Sequence, residues 1–146
     1  MTGKQNNQLI VNNAEVRYGD VVAISQVNLN LEDAQIGCLL GPSGCGKSTL
    51  LRAIAGFESL SDGHIDMGEK RLSDAQLIVA AEKRGIGMVF QDIALFPHLT
   101  IEKNIAFGLA GWTATERQQR VTELLELIGL SGIEKRYPNS LSGGQQ

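Results

Sequence analysis

The chain has 146 residues, 42% hydrophobic and 20% charged, with 13 Lys and Arg against 16 Asp and Glu for a net charge of −3. That is enough chain to bury a core and too apolar a balance for a disordered segment, while the acidic excess excludes a nucleic-acid binder working by bulk positive charge. Glycine is the outlier at 17 residues, against a usual share of about 7%, and several fall in short clusters where backbone must come close to something.

In chain order, residues 1–8 are polar and lack the apolar core of a secretory signal. Residues 9–16 are β-prone but interrupted by Asn12-Asn13, and Tyr18-Gly19-Asp20 marks a turn. Across it, Val27, Leu29 and Leu31 alternate with Asn28 and Asn30, the period of a half-buried strand, so an antiparallel hairpin is expected. Residues 36–40 (Ile-Gly-Cys-Leu-Leu) form a continuous apolar run, the pattern of a parallel strand buried on both faces. A glycine-rich loop follows, then a helix from Lys47 to Ala55 carrying Leu50, Leu51, Ile54 and Ala55, with Gly56 at its C-terminal end.

Residues 64–67 read as a short strand, 72–84 stay open between loop and helix, and 86–90 read as a core strand. Residues 91–100 form an ordered loop containing Pro97, after which Thr100 is placed to cap a short helix through Phe107. Thr113-Ala114-Thr115-Glu116 is a capping box opening a helix with Val121, Leu124, Leu125 and Ile128 on one stripe and Gly129 at its end. Pro138 breaks the chain again before its last residues. His64 has no partner by sequence, His98 reads as an exposed loop residue and Trp112 as packing. No stretch approaches the roughly 18–20 apolar residues of a membrane span. Cys38 and Cys45 are the only cysteines and suggest no metal; Cys38, inside the apolar run, is expected to be inert.

Two strings carry chemistry. Gly41-Pro42-Ser43-Gly44-Cys45-Gly46-Lys47-Ser48 matches GxxxxGK[ST], the phosphate-binding loop. Its glycines permit backbone that a Cβ forbids, successive amides form an anion nest, and the helix start adds partial positive charge. Lys47 supplies a full charge to β- and γ-phosphates, and the Ser48 hydroxyl suits Mg²⁺. Cys45 reads as a small loop residue whose backbone matters. The second string, Leu141-Ser142-Gly143-Gly144-Gln145, combines a hydroxyl, two small residues and exposed amides at an expected helix start, a further anion site.

With both strings in place the chain resembles, over nearly its whole length, the ATP-binding subunits of ABC transporters, whose signature reads LSGGQ and whose loop commonly reads GPSGCGKST. The resemblance implies an α/β fold: a P-loop nucleotide-binding core with an N-terminal antiparallel β part over residues 1–92, and a Q-loop region with a helical signature subdomain over residues 93–146. It implies ATP contacts along Gly41, Pro42, Ser43, Gly44, Cys45, Gly46, Lys47, Ser48 and Thr49, with Tyr18 stacking on adenine. Gln91 matches the family's Q-loop glutamine, a further ATP-binding residue whose carbonyl can meet Mg²⁺, with Ser48 as the other ligand, or the attacking water. Leu141, Ser142, Gly143, Gly144 and Gln145 act in trans on the nucleotide of a second copy. The loop after Gln91 meets membrane permease subunits, a periplasmic solute-binding protein acts indirectly, and the location implied is the cytoplasmic face of the inner membrane.

The strings at residues 82–91 and 92–100 resemble the importer branch serving ferric iron, polyamines, sugars and some oxyanions, and those at 113–118 and 136–138 favour ferric iron. The family's Walker B aspartate, catalytic glutamate and switch histidine have no counterpart before Gln146, so the C-terminal part of the fold is expected to be missing and hydrolysis by this chain weak or absent. A soluble ABC ATPase without a permease and a non-hydrolysing fragment that at most binds nucleotide remain as alternatives.

Overall fold

The computed structural model describes residues 8–92 and 94–146. The polar start over residues 1–7, and Ile93 in the string after Gln91, lie outside the described residues. The chain forms two compact units, Met1–Met88 and Val89–Gln146.

The first unit is built on a four-stranded antiparallel sheet in the order β2-β1-β3-β4. Strands β1 (Leu9–Tyr18) and β2 (Val21–Leu31) form the expected hairpin, with Tyr18 opposite Val21. Asn12-Asn13 does not end β1. Asn13 takes a positive φ of 47° at a register shift between Val11 and Ala14, a bulge that Asn tolerates. Its amide donates to Asn28 Oδ1 at 2.9 Å, and Asn28 Nδ2 donates to Asn13 Oδ1 at 3.1 Å. Strands β3 (Asp62–Met67) and β4 (Lys70–Asp74) complete the sheet. His64 does have a partner, Asp66 Oδ2 at 3.5 Å from its Nε2.

Helix α1 (Lys47–Ala55) belongs to the same unit as the sheet. Its Leu50, Ala53 and Ile54 join Val11, Val16, Ile65 and Leu72 in one core, each large aliphatic side chain contributing about 1.5–3 kcal/mol. Leu51, expected on that stripe, is about half exposed; the buried face runs through Ala53 instead. The open stretch 72–84 resolves into the end of β4, an Asx turn and a short 3-10 turn at Ala81–Lys83. In the Asx turn Asp74 Oδ1 accepts the amides of Gln76 at 2.9 Å and Leu77 at 2.8 Å.

Two expected core strands do not form. Residues 36–40 and 86–90 carry no strand pairing, and Ile36, Leu40 and Val89 are 98%, 87% and 97% exposed. Cys38 is accordingly exposed rather than enclosed. A doubly buried strand needs ladder partners at both edges and cover on both faces. Among the described residues the four strands pair with one another, with one further bridge from Ser73 to Ile78, and no ladder includes residues 36–40 or 86–90.

The second unit is helical. Helices α2 (Ile101–Ala106) and α3 (Ala114–Leu127), with a 3-10 turn at Pro138–Ser140, enclose Ile101, Val121, Leu125, Ile133 and Leu141. The capping box of α3 is present: Glu116 N donates to Thr113 Oγ1 at 3.3 Å and Thr113 N to Glu116 Oε2 at 2.8 Å. Gly129, at φ 70°, follows the helix as expected, whereas Ile128 is exposed and Trp112 is only half covered. Thr100 sits at the N-cap of α2, yet its side chain caps no amide and its Oγ1 is buried without a hydrogen-bond partner among the described residues. Acceptors distant in sequence compete for this end of the helix. The amides of Ile101 and Glu102 are already taken by the carbonyls of Arg136 at 2.9 Å and Glu134 at 3.0 Å.

Candidate functional site

Residues 41–46 join the apolar run to α1, whose first turn carries Lys47, Ser48 and Thr49. No side chain caps this helix, because its N-cap is Gly46. The first amide with a helical acceptor is that of Leu50, which donates to Gly46 O at 2.9 Å. The amides of Lys47, Ser48 and Thr49 are therefore the unsatisfied donors of the first turn, at the positive end of the helix dipole. Lys47 folds back over the loop: its Nζ donates to the carbonyls of Gly41 at 2.8 Å and Pro42 at 2.6 Å and lies 3.4 Å from Cys45 Sγ. First-turn amides and an ammonium thus share one short loop, a set of groups suited to an anion.

Strand β2 sets the floor of this loop. Gly46 has φ 90°, and a Cβ there would stand 2.2 Å from Ile24 Cγ2 and 2.8 Å from the Ala23 carbonyl oxygen. Only glycine meets both the conformation and the contact. Pro42, Ser43 and Gly44 form the exposed outer turn, with Cys45 also exposed.

Tyr18, at the end of β1, is half exposed. Its hydroxyl engages the carboxylate of Glu58 and the hydroxyl of Thr49, in the first turn of α1. Partial burial first, and then Glu58, push the phenol above its ordinary range, with Thr49 and Arg52 opposing. An aromatic face and the phosphate-loop helix are thereby tied to the same unit. Glu58 was not singled out by any sequence pattern.

Ser48 presents an exposed hydroxyl on that first turn. A single hard oxygen suits Mg²⁺, which keeps much of its water and completes its shell with phosphate oxygens. Gln91 is exposed in the second unit.

The second string also lies in that unit. Leu141 anchors it in the helical core, while Ser142 to Gln145 stay exposed. Ser142 O accepts the amides of Gln145 at 2.9 Å and Gln146 at 3.0 Å, and Ser142 N donates to Gln145 Oε1 at 3.1 Å. This is a first helical turn with half a capping box rather than a full helix start. Arg136 holds the approach through Nη2 to the Ser140 carbonyl. A Cβ on Gly143 or Gly144 would meet nothing among the described residues within 4 Å, and neither has a positive φ. The fold of this chain does not require glycine there; closeness to something outside it would.

One residue that sequence reasoning passed over is Arg84. Its guanidinium is buried and donates to Val79 O (2.7 Å), Ala53 O (3.0 Å), Ile54 O (2.9 Å), Leu72 O (3.2 Å) and Ser73 Oγ (2.6 Å). In the sequence it is one basic residue in a charged string; nothing local predicts that it enters the core.

The chain matches the family described as ABC transporter over residues 24–146. It is 44% identical over 138 residues to a ferric-ion import ATP-binding protein of Fusobacterium nucleatum, covering 93% of this chain and 36% of the relative. It is 47% identical over 131 residues to a maltose/maltodextrin import ATP-binding protein of Mannheimia succiniciproducens, covering 88% and 34%. A sulfate/thiosulfate import ATP-binding protein of Synechocystis is 47% identical over 140 residues, covering 94% and 38%. The chain thus spans little more than a third of the length of these relatives. Among solved structures it resembles the dimeric ATP-binding cassette MJ0796 in a post-hydrolysis state bound to ADP and Pi, at TM-score 0.80 and 29% identity over 94% of this chain and 64% of that one.

Proposed function

The chain belongs to the ABC transporter family, and from that premise we propose that it is the nucleotide-binding part of an importer's ATP-binding subunit, coupling ATP to solute uptake. The observation that carries the reading is the loop at residues 41–49, where uncapped first-turn amides and the Lys47 ammonium share one short segment. On binding, the β- and γ-phosphates take the Lys47 ammonium from the carbonyls of Gly41 and Pro42, and the amides of Lys47, Ser48 and Thr49 receive the remaining oxygens. The adenine stacks on Tyr18. The Ser48 hydroxyl would ligate Mg²⁺, whose charge would offset that of the phosphates, and Gln91 is proposed as the family's Q-loop glutamine. Every polar group bonded to Lys47 is a carbonyl or a thiol, not a carboxylate that could activate water. We therefore propose that these 146 residues alone bind nucleotide far better than they hydrolyse it.

In the same reading Ser142, Gly143 and Gly144 approach the nucleotide of a second copy, which the open space at both glycines supports. The dimeric state of MJ0796 is consistent with this pairing. The loop after Gln91 meets a permease at the cytoplasmic face of the membrane; among the described residues no helix is long and apolar enough to cross a membrane itself. The solute proposed is ferric iron, supported by the name of one relative and by the strings at 113–118 and 136–138. Titration of the chain with ATP and Mg²⁺ tests the central reading. Saturable binding that Lys47→Ala weakens by about tenfold or more supports it, and binding insensitive to Lys47 overturns it. Uptake of radioactive iron, sulfate and maltodextrin by cells with and without the gene tests the solute.

A further inference from the structure

Arg84 is a full positive charge inside the core of the first unit, and none of its five hydrogen-bond acceptors carries formal charge. Two of them, the carbonyls of Ala53 and Ile54, lie in the last turn of α1, the helix whose first turn forms the phosphate loop. The guanidinium therefore sits on the negative pole of the helix dipole, and nothing bonded to it cancels its field.

We propose that Arg84 is a positioning residue for the phosphate loop that acts through α1: it neutralises the helix's C-terminal pole and makes the amide end a stronger site for a polyanion. The inference rests on the reading of residues 41–49 as a nucleotide site. The helix has nine residues, so its two ends stand about 13 Å apart. Over that distance a charge buried in an interior of effective dielectric about 20 changes the affinity for each unit of ligand charge by several-fold, less what salt screens. Arginine suits the place because its planar fork reaches the two helix carbonyls, β4 and Val79 at once and stays protonated. The left-handed Gly56 leaves room for it, since a Cβ there would meet Arg84 Nε at 2.5 Å.

The field of a remote charge has a signature that packing lacks. Its effect grows with the charge of the ligand. Arg84→Gln keeps an amide donor but removes the charge; Arg84→Lys keeps the charge but loses the fork. Binding of ATP, ADP and adenosine to the 146-residue chain is measured by titration calorimetry at low and moderate salt. The expected result for Arg84→Gln is a loss of about tenfold or more for ATP at low salt, a smaller loss for ADP and none for adenosine, shrinking as salt rises. Arg84→Lys is expected to keep the parent's ratio of ATP to ADP affinity within about twofold, even where its Tm falls. Equal losses for all ligands in Arg84→Gln overturn the inference while leaving the nucleotide site intact. Should Arg84→Gln not fold, a shifted ATP to ADP ratio in Arg84→Lys overturns it equally. Absence of ATP binding by the parent chain overturns the nucleotide reading and this inference together.

Discussion

Asn104 grips Phe96 from both sides: its Oδ1 accepts the Phe96 amide at 2.8 Å while its Nδ2 donates to the Phe96 carbonyl at 3.1 Å. The same Nδ2 also meets the carbonyls of Leu99 and Thr100, each at 3.1 Å. One side chain of α2 thus takes over the backbone bonding of a loop that has no ladder of its own. Phe96 is held in turn against Phe107, with ring centroids 4.5 Å apart.

Replacing that side chain should free the loop before it unfolds the unit. Asn104→Ala is expected to cost about 1–2 kcal/mol and to speed hydrogen exchange at the Phe96 amide. Asn104→Asp should cost more, because it turns a donor into a carboxylate facing three carbonyls. Urea unfolding and amide exchange measure both effects. An Asn104→Ala protein with unchanged exchange at Phe96 would show that the loop is held by other means.

At Gly56 the left-handed conformation, φ 94°, coincides with the contact to Arg84. Gly56→Ala is expected to destabilise by about 1–3 kcal/mol, combining backbone strain with displacement of the guanidinium. Because the two residues touch, a double-mutant cycle with Arg84→Lys should show coupling of about 0.5 kcal/mol or more. Additive losses would mean that only backbone strain operates at Gly56.

Glu15 binds three donors, Arg17 Nε at 2.6 Å, Ser25 Oγ at 3.1 Å and Ser61 Oγ at 3.2 Å. The Arg17 hydrogen bond leads in lowering its carboxyl below the ordinary value of 4.5, with partial desolvation opposing and the two serines adding to the fall. A depressed folded pKa means that the unfolded chain binds the proton more readily. The stabilisation is therefore complete above 4.5 and is lost as pH falls through the folded value. Glu15→Gln should flatten the acid limb of a stability against pH curve below 4.5 and leave its slope at neutral pH unchanged. An unaltered acid limb would place the carboxyl's titration elsewhere.

Gly144 offers the reverse case from Gly56. With open space at its Cβ and no positive φ, Gly144→Ala should change the stability of the chain by no more than about 0.5 kcal/mol. On the proposed function it should still weaken ATP-dependent pairing of two copies, as measured by sedimentation. A large loss of monomer stability would show that Gly144 serves this chain's own fold.

The hairpin, α1, α3 and the capping box at Thr113 and Glu116 were legible in the sequence, because each depends on neighbours within a few residues. Glycine supplies its own φ, a threonine reaches an amide three positions on, and alternation over 27–31 needs only one buried face. Burial and long-range bonding were decided by tertiary structure. Residues 36–40 have the composition of an interior strand, but strand pairing requires a second segment, and among the described residues none pairs with them. Thr100 has the chemistry of a cap, yet Glu134 and Arg136, more than thirty residues away, supply the acceptors first. Arg84 reads as one basic residue in a charged string and becomes a buried cation only because Ala53, Ile54, Leu72, Ser73 and Val79 converge on it. Residue type and spacing determined which groups are proposed to bind phosphate; the packed chain alone placed the Arg84 charge at the other end of α1, since a field depends on distance through space and not along the sequence.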